Sequence, residues 1–227
     1  MLCTDATAFF RTGRHPETAW PDMQVGFFAS NPNKELCEEN LQISPFSLGL
    51  KEENLRLNSE GCVMVVTLLH PKSKGQVRLR SEDPSQAPLI EANYLSDPEG
   101  DDIATMREGL KEALFIASHG DLGDMVQPCL PALEGLELGS DAYYEELIRR
   151  FATTLYHPCG TCAIGKVVDA RLCVRGLRGL RVADASVFPE IISGNTNAPS
   201  IMVGEKGARL IASAHGFSLR GDARSRL

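Results

Sequence analysis

Residues 61–71 read GCVMVVTLLHP, a dense apolar run that ends at Pro71. β-branched side chains suit a pleated surface, and a run without polar alternation suits a strand that is well buried. This run more than any other demands a sheet. KSKG (72–75) reads as a turn, and QVRLRS (76–81) alternates apolar and basic residues as a half-exposed strand would. Together the two runs predict a β-hairpin. DMQVGFFAS (22–30) adds a short strand, with NPNKE as the turn after it. Residues 31–60 are polar and read as loop or short helix. SEDPSQAP (81–88) reads as loop, and LIEANYLSDPEG runs into a further turn.

The next stretch is helical. Ile103, Met106, Leu110, Ala113, Leu114 and Ala117 recur at the spacing of one buried helix face, and His119-Gly120 ends it. Residues 120–139 are rich in Gly, Pro and Asp and read as loop. Ser140 is placed to cap a second helix, with Tyr144, Leu147, Ile148 and Phe151 on one side. GLRVADAS (179–186) reads as a strand running into a loop, and SGNTNAPS (193–200) as a turn-rich loop. A last helix spans 199–214, with Pro199 in its first turn, where a missing N–H costs nothing. The tail from 215 reads as flexible.

Composition narrows the function classes. The formal net charge of −7 argues against a nucleic-acid or anionic-membrane partner, since both favour a basic surface. No run approaches the ~18 uninterrupted apolar residues of a membrane span. The first residues lack a basic start followed by an apolar run, so no targeting segment is read, and mitochondrion and cytoplasm both stay open. The seven Cys (3, 37, 62, 129, 159, 162 and 173) are odd in number and irregularly spaced. They do not form a disulfide framework, and free thiols are expected.

The candidate chemistry gathers in YHPCGTCAIG (156–165). A redox CxxC ordinarily opens a helix, but AIGKVVDARL after it is glycine-interrupted and strand-like. Zinc would need two further ligands at suitable spacing. Small packing residues are the leading reading of Cys159 and Cys162. His157 is either a satisfied loop histidine or a catalytic one. His15, His70, His119 and His215 read as surface or turn residues. Asn195 and Asn197 precede the last helix, where capping and turn-making are their ordinary roles. A helix start also offers free N–H groups and positive potential to an anion or an electron-rich ring edge. Asp184 ends the expected strand, where ligand contacts concentrate in α/β folds.

YHPCGTCAIG, then VVDARLCVRGLRGLRVADASVFP, then SGNTNAPSIMVGEKGARLI, over about 150–212, resembles the C-terminal signature of the glucose-methanol-choline (GMC) flavin oxidoreductases. The choline-dehydrogenase-like branch looks nearest. Residues 70–113 resemble the start of the same C-terminal module, near 63, and residues 1–60 fit the substrate domain less distinctly. The resemblance implies oxidation of a small alcohol to a carbonyl, with FAD as hydride acceptor. It puts His157 on the base position and Asn195 on the position that holds the substrate oxygen, since an amide is no base. It implies FAD contacts for Tyr156, His157, Asp184, Ala185, Asn195, Thr196, Asn197 and Ala198. Cys159 stands where relatives usually carry a small apolar residue, and Ala163-Ile164 replaces a frequent Arg-Met. Both changes would alter the pocket lining without removing His157 or Asn195.

The fold implied is α+β. An antiparallel sheet covered by helices makes a substrate-binding domain over 1–155, and 156–214 supply the catalytic strand and helix of the FAD domain. The family's N-terminal βαβ unit carries GxGxxG for the ADP half of FAD. This chain has no GxGxxG, and neither GLRGLRV nor GTCAIG follows a strand and opens a helix. The expectation is therefore a C-terminal part of a family member (a fragment, a truncated product or the product of a split gene), for which a separate N-terminal FAD-binding half is a candidate partner. The alternative is a non-catalytic interaction module that binds no FAD by itself.

Overall fold

The computed structural model describes residues 5–29, 62–126 and 130–217. The polar 31–60 stretch, Cys3, Cys37, Cys129 and the tail from 218 lie outside them. The chain divides into two compact units, one drawn from Met1–Gly75 and Ala92–Leu155, the other from Gln76–Glu91 and Tyr156–Leu227.

The first unit is built on an antiparallel sheet in the order β1 (Ala6–Phe10), β2 (Met23–Phe28), β3 (Val63–Leu68). Val25 pairs with Ala8 on one side and with Val66 on the other. Helix α1 (Asp101–Ala117) packs on β3 and β2. Gly109 sits where a Cβ would lie 2.4 Å from the Met23 methyl carbon. Met23 is fully buried, so the missing side chain is what lets helix and sheet approach. α2 (Gly120–Met125) follows, and α3 (Asp141–Phe151) packs on α1.

The expected helices are present and their caps are specific. Ser140 accepts from the Tyr143 N–H at 3.1 Å, as a cap should. α1 is capped differently. Gly100 turns the chain at φ 67°, and the Asp97 carboxylate takes the N–H groups of Asp101 (2.6 Å) and Asp102 (3.2 Å). Tyr143, Tyr144, Leu147 and Leu133 form the buried core here, with Leu110, Leu114 and Phe151 against it. The Tyr143 hydroxyl donates to the Pro131 carbonyl at 2.8 Å, which satisfies its polar end inside that core.

Several expectations are corrected. The 61–71 and 76–81 runs do not form a hairpin: β3 pairs with β2, while β4 (Gln76–Arg78) pairs with β5 (Leu89–Glu91). The reason lies in the connection. The N–H groups of Lys72 and Ser73 are taken by the Asp102 carboxylate, so KSKG is anchored to α1 and does not close a hairpin. β3 is also half-buried along its length, because it borders the described sheet. Residues 120–125 are helical and β1 is a strand, neither of which the pattern announced. His15, expected at the surface, is half-buried and lies 2.9 Å from Asp101 through Nε2.

In the second unit, β4 and β5 form the hairpin and α4 (Asn197–Ala214) closes the chain. Between Tyr156 and Thr196 the backbone is irregular. The strand expected over 179–186 shrinks to one bridge, Cys173 to Arg181. Left-handed residues at Leu172, Gly176 and Gly179 keep reversing the chain, and Asp184 diverts it into a single 3-10 turn, Ala185–Val187. The Asp169 carboxyl is held below its ordinary range, first by the Cys173 N–H and, against some burial, by that of Arg171. Val168, Leu172, Val187, Phe188 and Val203 form the core of this unit. Gly207 lets α4 pass close to Ala183, which would lie 3.0 Å from an added Cβ.

Candidate active site

The second unit begins with Tyr156 in the left-handed region, φ 62°. A non-glycine residue there costs about 1–3 kcal/mol and is often found at functional sites. Tyr156 is exposed, while the next residue, His157, is half-buried. His157 Nδ1 lies 2.9 Å from Thr196 Oγ1. Its other ring nitrogen, Nε2, is shielded from solvent and has no hydrogen-bond partner among the described residues. Buried polar atoms are nearly always paired, so this one calls for an explanation. A ring nitrogen kept open for a reacting group provides one.

The backbone after His157 is tied down. Cys162 N–H donates to the Ser186 carbonyl at 2.8 Å, and Ile164 N–H to that of Val187 at 2.9 Å. Between them and His157, Gly160 turns at φ 90°, a conformation that favours glycine, beside the Phe188 carbonyl (3.4 Å to an added Cβ). Asp184 holds the other side of this contact: its carboxylate accepts from Ser186 N–H at 2.8 Å and starts the 3-10 turn. Asp184 is exposed and Ala185 half-buried.

Thr196 is buried and begins α4. Around it Asn195, Asn197 and Ala198 are exposed. The first N–H groups of a helix have no partner inside it, and Pro199 has no N–H to offer. α4 therefore presents the N–H groups of Asn197 and Ala198 and the positive end of its dipole at this point. Such a helix start suits an electron-rich ring edge or a negative charge.

The structure thus joins His157 to Thr196 directly and sets Asn195, Asn197 and Ala198 around that contact. Asp184 and Ala185 lie on the turn that braces residues 162–164. Cys159 packs against the core of this unit, and neither it nor Cys162 is in a disulfide. The pairing of Thr196 with His157 was not legible in the sequence. A Thr before a helix reads as its cap, and nothing in SGNTNAPS shows the hydroxyl turning elsewhere.

The family model described as GMC oxidoreductase matches residues 71–204. The chain belongs to that family. Among its relatives is an alcohol dehydrogenase [acceptor] of Pseudomonas putida, 40% identical over 82% of this chain and 34% of its own length. Another is an oxygen-dependent choline dehydrogenase of Escherichia coli, 35% identical over 91% of this chain and 34% of its own. A solved structure of a variant formate oxidase from Aspergillus oryzae superposes with a TM-score of 0.70 at 29% identity, covering 87% of this chain and 32% of that one. The chain spans about a third of the length of the relatives it matches.

Proposed function

We propose that this chain supplies the C-terminal catalytic part of an FAD-dependent oxidoreductase that oxidises a CH–OH group to a carbonyl, of the choline-dehydrogenase-like kind. The observation that carries the reading is the half-buried His157 with one ring nitrogen held and the other buried and open. FAD, when bound, is the hydride acceptor. The chain's own residues do the rest. His157 Nε2 takes the proton of the alcohol hydroxyl, and the Asn195 amide holds the oxygen from which that proton leaves. The start of α4, with the N–H groups of Asn197 and Ala198, would stabilise negative charge on the electron-rich edge of a bound flavin. Tyr156, Asp184, Ala185 and Thr196 complete this wall of the cofactor site. Residues 156–214 supply that wall, and the substrate-binding domain is drawn from 1–155 apart from Gln76–Glu91, which cluster with the C-terminal unit. The open Nε2 and the positive start of α4 fit the reaction's demands: one group to accept a proton, one to stabilise negative charge.

A choline-like alcohol is the substrate class we favour, by likeness to a relative of that name. A separately folded dinucleotide-binding half would complete the FAD site. The test is His157→Ala in FAD-loaded protein, made by combining the chain with such a half. The rate of flavin reduction by alcohol is expected to fall roughly 10²–10⁴-fold, the usual range for a lost general base. Unchanged reduction would remove His157 from the chemistry.

One observation favours a second reading, an interaction module without catalysis of its own: the absence of GxGxxG from these 227 residues. Titrating FAD into the chain with and without a dinucleotide-binding half separates the two: flavin bound and reduced by alcohol in the combination is expected from the first reading, and none in either from the second. Tight flavin binding and alcohol-dependent reduction in the combination would eliminate the second reading, and tight loading of the chain alone would overturn the need for a separate half.

A further inference from the structure

Thr196 uses its hydroxyl in an unusual way for a residue that starts a helix. A Thr in that position ordinarily accepts a bond from the N–H of the second or third helical residue. Thr196 makes no such bond. Its Oγ1 lies 2.9 Å from His157 Nδ1 instead. The residue is buried, and α4 pins it: its carbonyl accepts from Ser200 N–H at 2.9 Å and from Ser200 Oγ at 2.6 Å. The helix fixes the Thr196 backbone, from which the hydroxyl reaches the ring.

The chemistry of imidazole gives this contact a consequence. A neutral ring carries one proton; the nitrogen that bears it donates and the other accepts. A base at Nε2 needs its lone pair there, so the proton must sit on Nδ1. An Nδ1–H needs an acceptor, and Thr196 Oγ1 is at the right distance. Nε2, meanwhile, is buried with no partner among the described residues. If the hydroxyl donated to Nδ1, the ring proton would move to Nε2 and His157 would be a donor, unable to accept.

We propose that Thr196 is a positioning residue for His157: its Oγ1 accepts the Nδ1–H, fixes the ring and keeps the lone pair on Nε2. The inference rests on the reading of His157 as base. In the reaction the alcohol proton passes to the Nε2 lone pair, the carbon-bound hydride goes to FAD, and Nδ1–H stays on Thr196 throughout. Thr196 gains and loses no proton. A residue with the same shape and no oxygen, valine, removes the acceptor; serine retains it.

The first measurement needs no flavin. The 227-residue chain, labelled with ¹⁵N-histidine, is studied by long-range ¹H–¹⁵N spectra at about pH 8, above the ordinary imidazole range. His157→Gln identifies the resonances among the five histidines. The Nδ1–H pattern is expected in the native chain and in Thr196→Ser, with Thr196→Val moving to Nε2–H or to a mixture. An Nε2–H pattern in the native chain overturns the proposal even where Thr196→Val does not fold. So does the same tautomer in native chain and valine variant. In FAD-loaded protein, Thr196→Val is expected to lower kcat about tenfold or more with KM within about threefold, as for an interaction used in the transition state, and Thr196→Ser to restore it. A full rate in the valine variant overturns the proposal. A full rate in His157→Ala together with the Nδ1–H pattern sinks the base reading instead and leaves the contact standing.

Discussion

Asp102, at the start of α1, takes the Lys72 N–H on one carboxylate oxygen (2.7 Å), and Ser73 N–H reaches the other at 3.0 Å. The carboxylate is almost fully buried. Its charge is met by two backbone donors and by the positive end of the helix. The link spans about thirty residues of sequence and fixes the exit of β3 against α1. The same corner is closed by Ser73 Oγ, which accepts from the N–H groups of Ser96 (2.8 Å) and Asp97 (3.0 Å).

Asp102→Ala therefore leaves two N–H groups without their acceptor. Hydrogen bonds to charged groups contribute about 1.5–3 kcal/mol, and stranded buried donors cost a similar amount. Asp102→Ala is expected to lower unfolding stability by about 2–4 kcal/mol in urea, and Asp102→Asn, which keeps one acceptor, by less. Equal midpoints for the native chain and the alanine variant would show that the link does not hold the corner.

Asp101, one residue earlier, has a different environment. Burial alone would raise its pKa, but hydrogen bonds from Arg14 and Lys72, then the charges of His15 and Lys72, outweigh that and hold it below the ordinary carboxylate value. Arg14 Nη2 is at 3.0 Å, His15 Nε2 at 2.9 Å and Lys72 Nζ at 3.2 Å. A depressed folded-state pKa contributes stability that is present above the unfolded-state pKa, about 3.9, and lost as pH falls through the folded value. The stability gap between the native chain and Asp101→Asn should thus be widest near neutral pH and close below about pH 4. Urea titrations at several pH values would show it. A gap that stays constant into acid would mean that the ionised carboxylate contributes nothing.

How far the sequence could be read follows from what each element depends on. Helices α1 and α3 depend on local periodicity and a local cap, so Ser140 and the Ile103–Ala117 spacing announced them. The partner of β3 depends on where the chain goes after Pro71. That is decided by Asp102, a residue whose place in a polar helix start gave no sign of it. Likewise, Gly109 lies on the buried side of α1 for its contact with Met23, which no periodicity of apolar residues reveals. At the site, His157 and Asn195 stood out through resemblance to a family motif. The Thr196 contact did not, because it depends on an irregular backbone thirty-nine residues long, set by reversals at Tyr156, Leu172 and several glycines.

Asn195 is exposed beside Thr196, and its proposed task is to hold the substrate oxygen. Losing one such donor costs on the order of 10²–10³ in turnover where it stabilises developing charge in a closed site. Asn195→Ala in FAD-loaded protein is expected to slow flavin reduction by about 10-fold to 10²-fold, less than His157→Ala does, because the base remains. Asn195→Asp should be slower still, since a carboxylate repels the oxygen as its proton leaves. Reduction as fast in the alanine variant as in the native protein would free Asn195 from this role.

The cysteines give the sharpest contrast between the two readings of YHPCGTCAIG. Cys159 packs against the Val168–Val187 core, and its place two residues after His157 would make it a prime suspect if a thiol reacted. Ser substitution keeps the size and removes the thiolate chemistry, at the cost of a hydroxyl in a partly buried site. Cys159→Ser and Cys159→Ser/Cys162→Ser are expected to unfold somewhat more easily, by about 1–2 kcal/mol. Turnover per FAD-loaded molecule should stay within about threefold of the native value, far from the 10²-fold or greater loss that follows removal of a reacting group. Kinetics normalised to bound flavin separate the two effects. Abolished turnover in protein that still folds and holds flavin would return the cysteines to the centre of the chemistry.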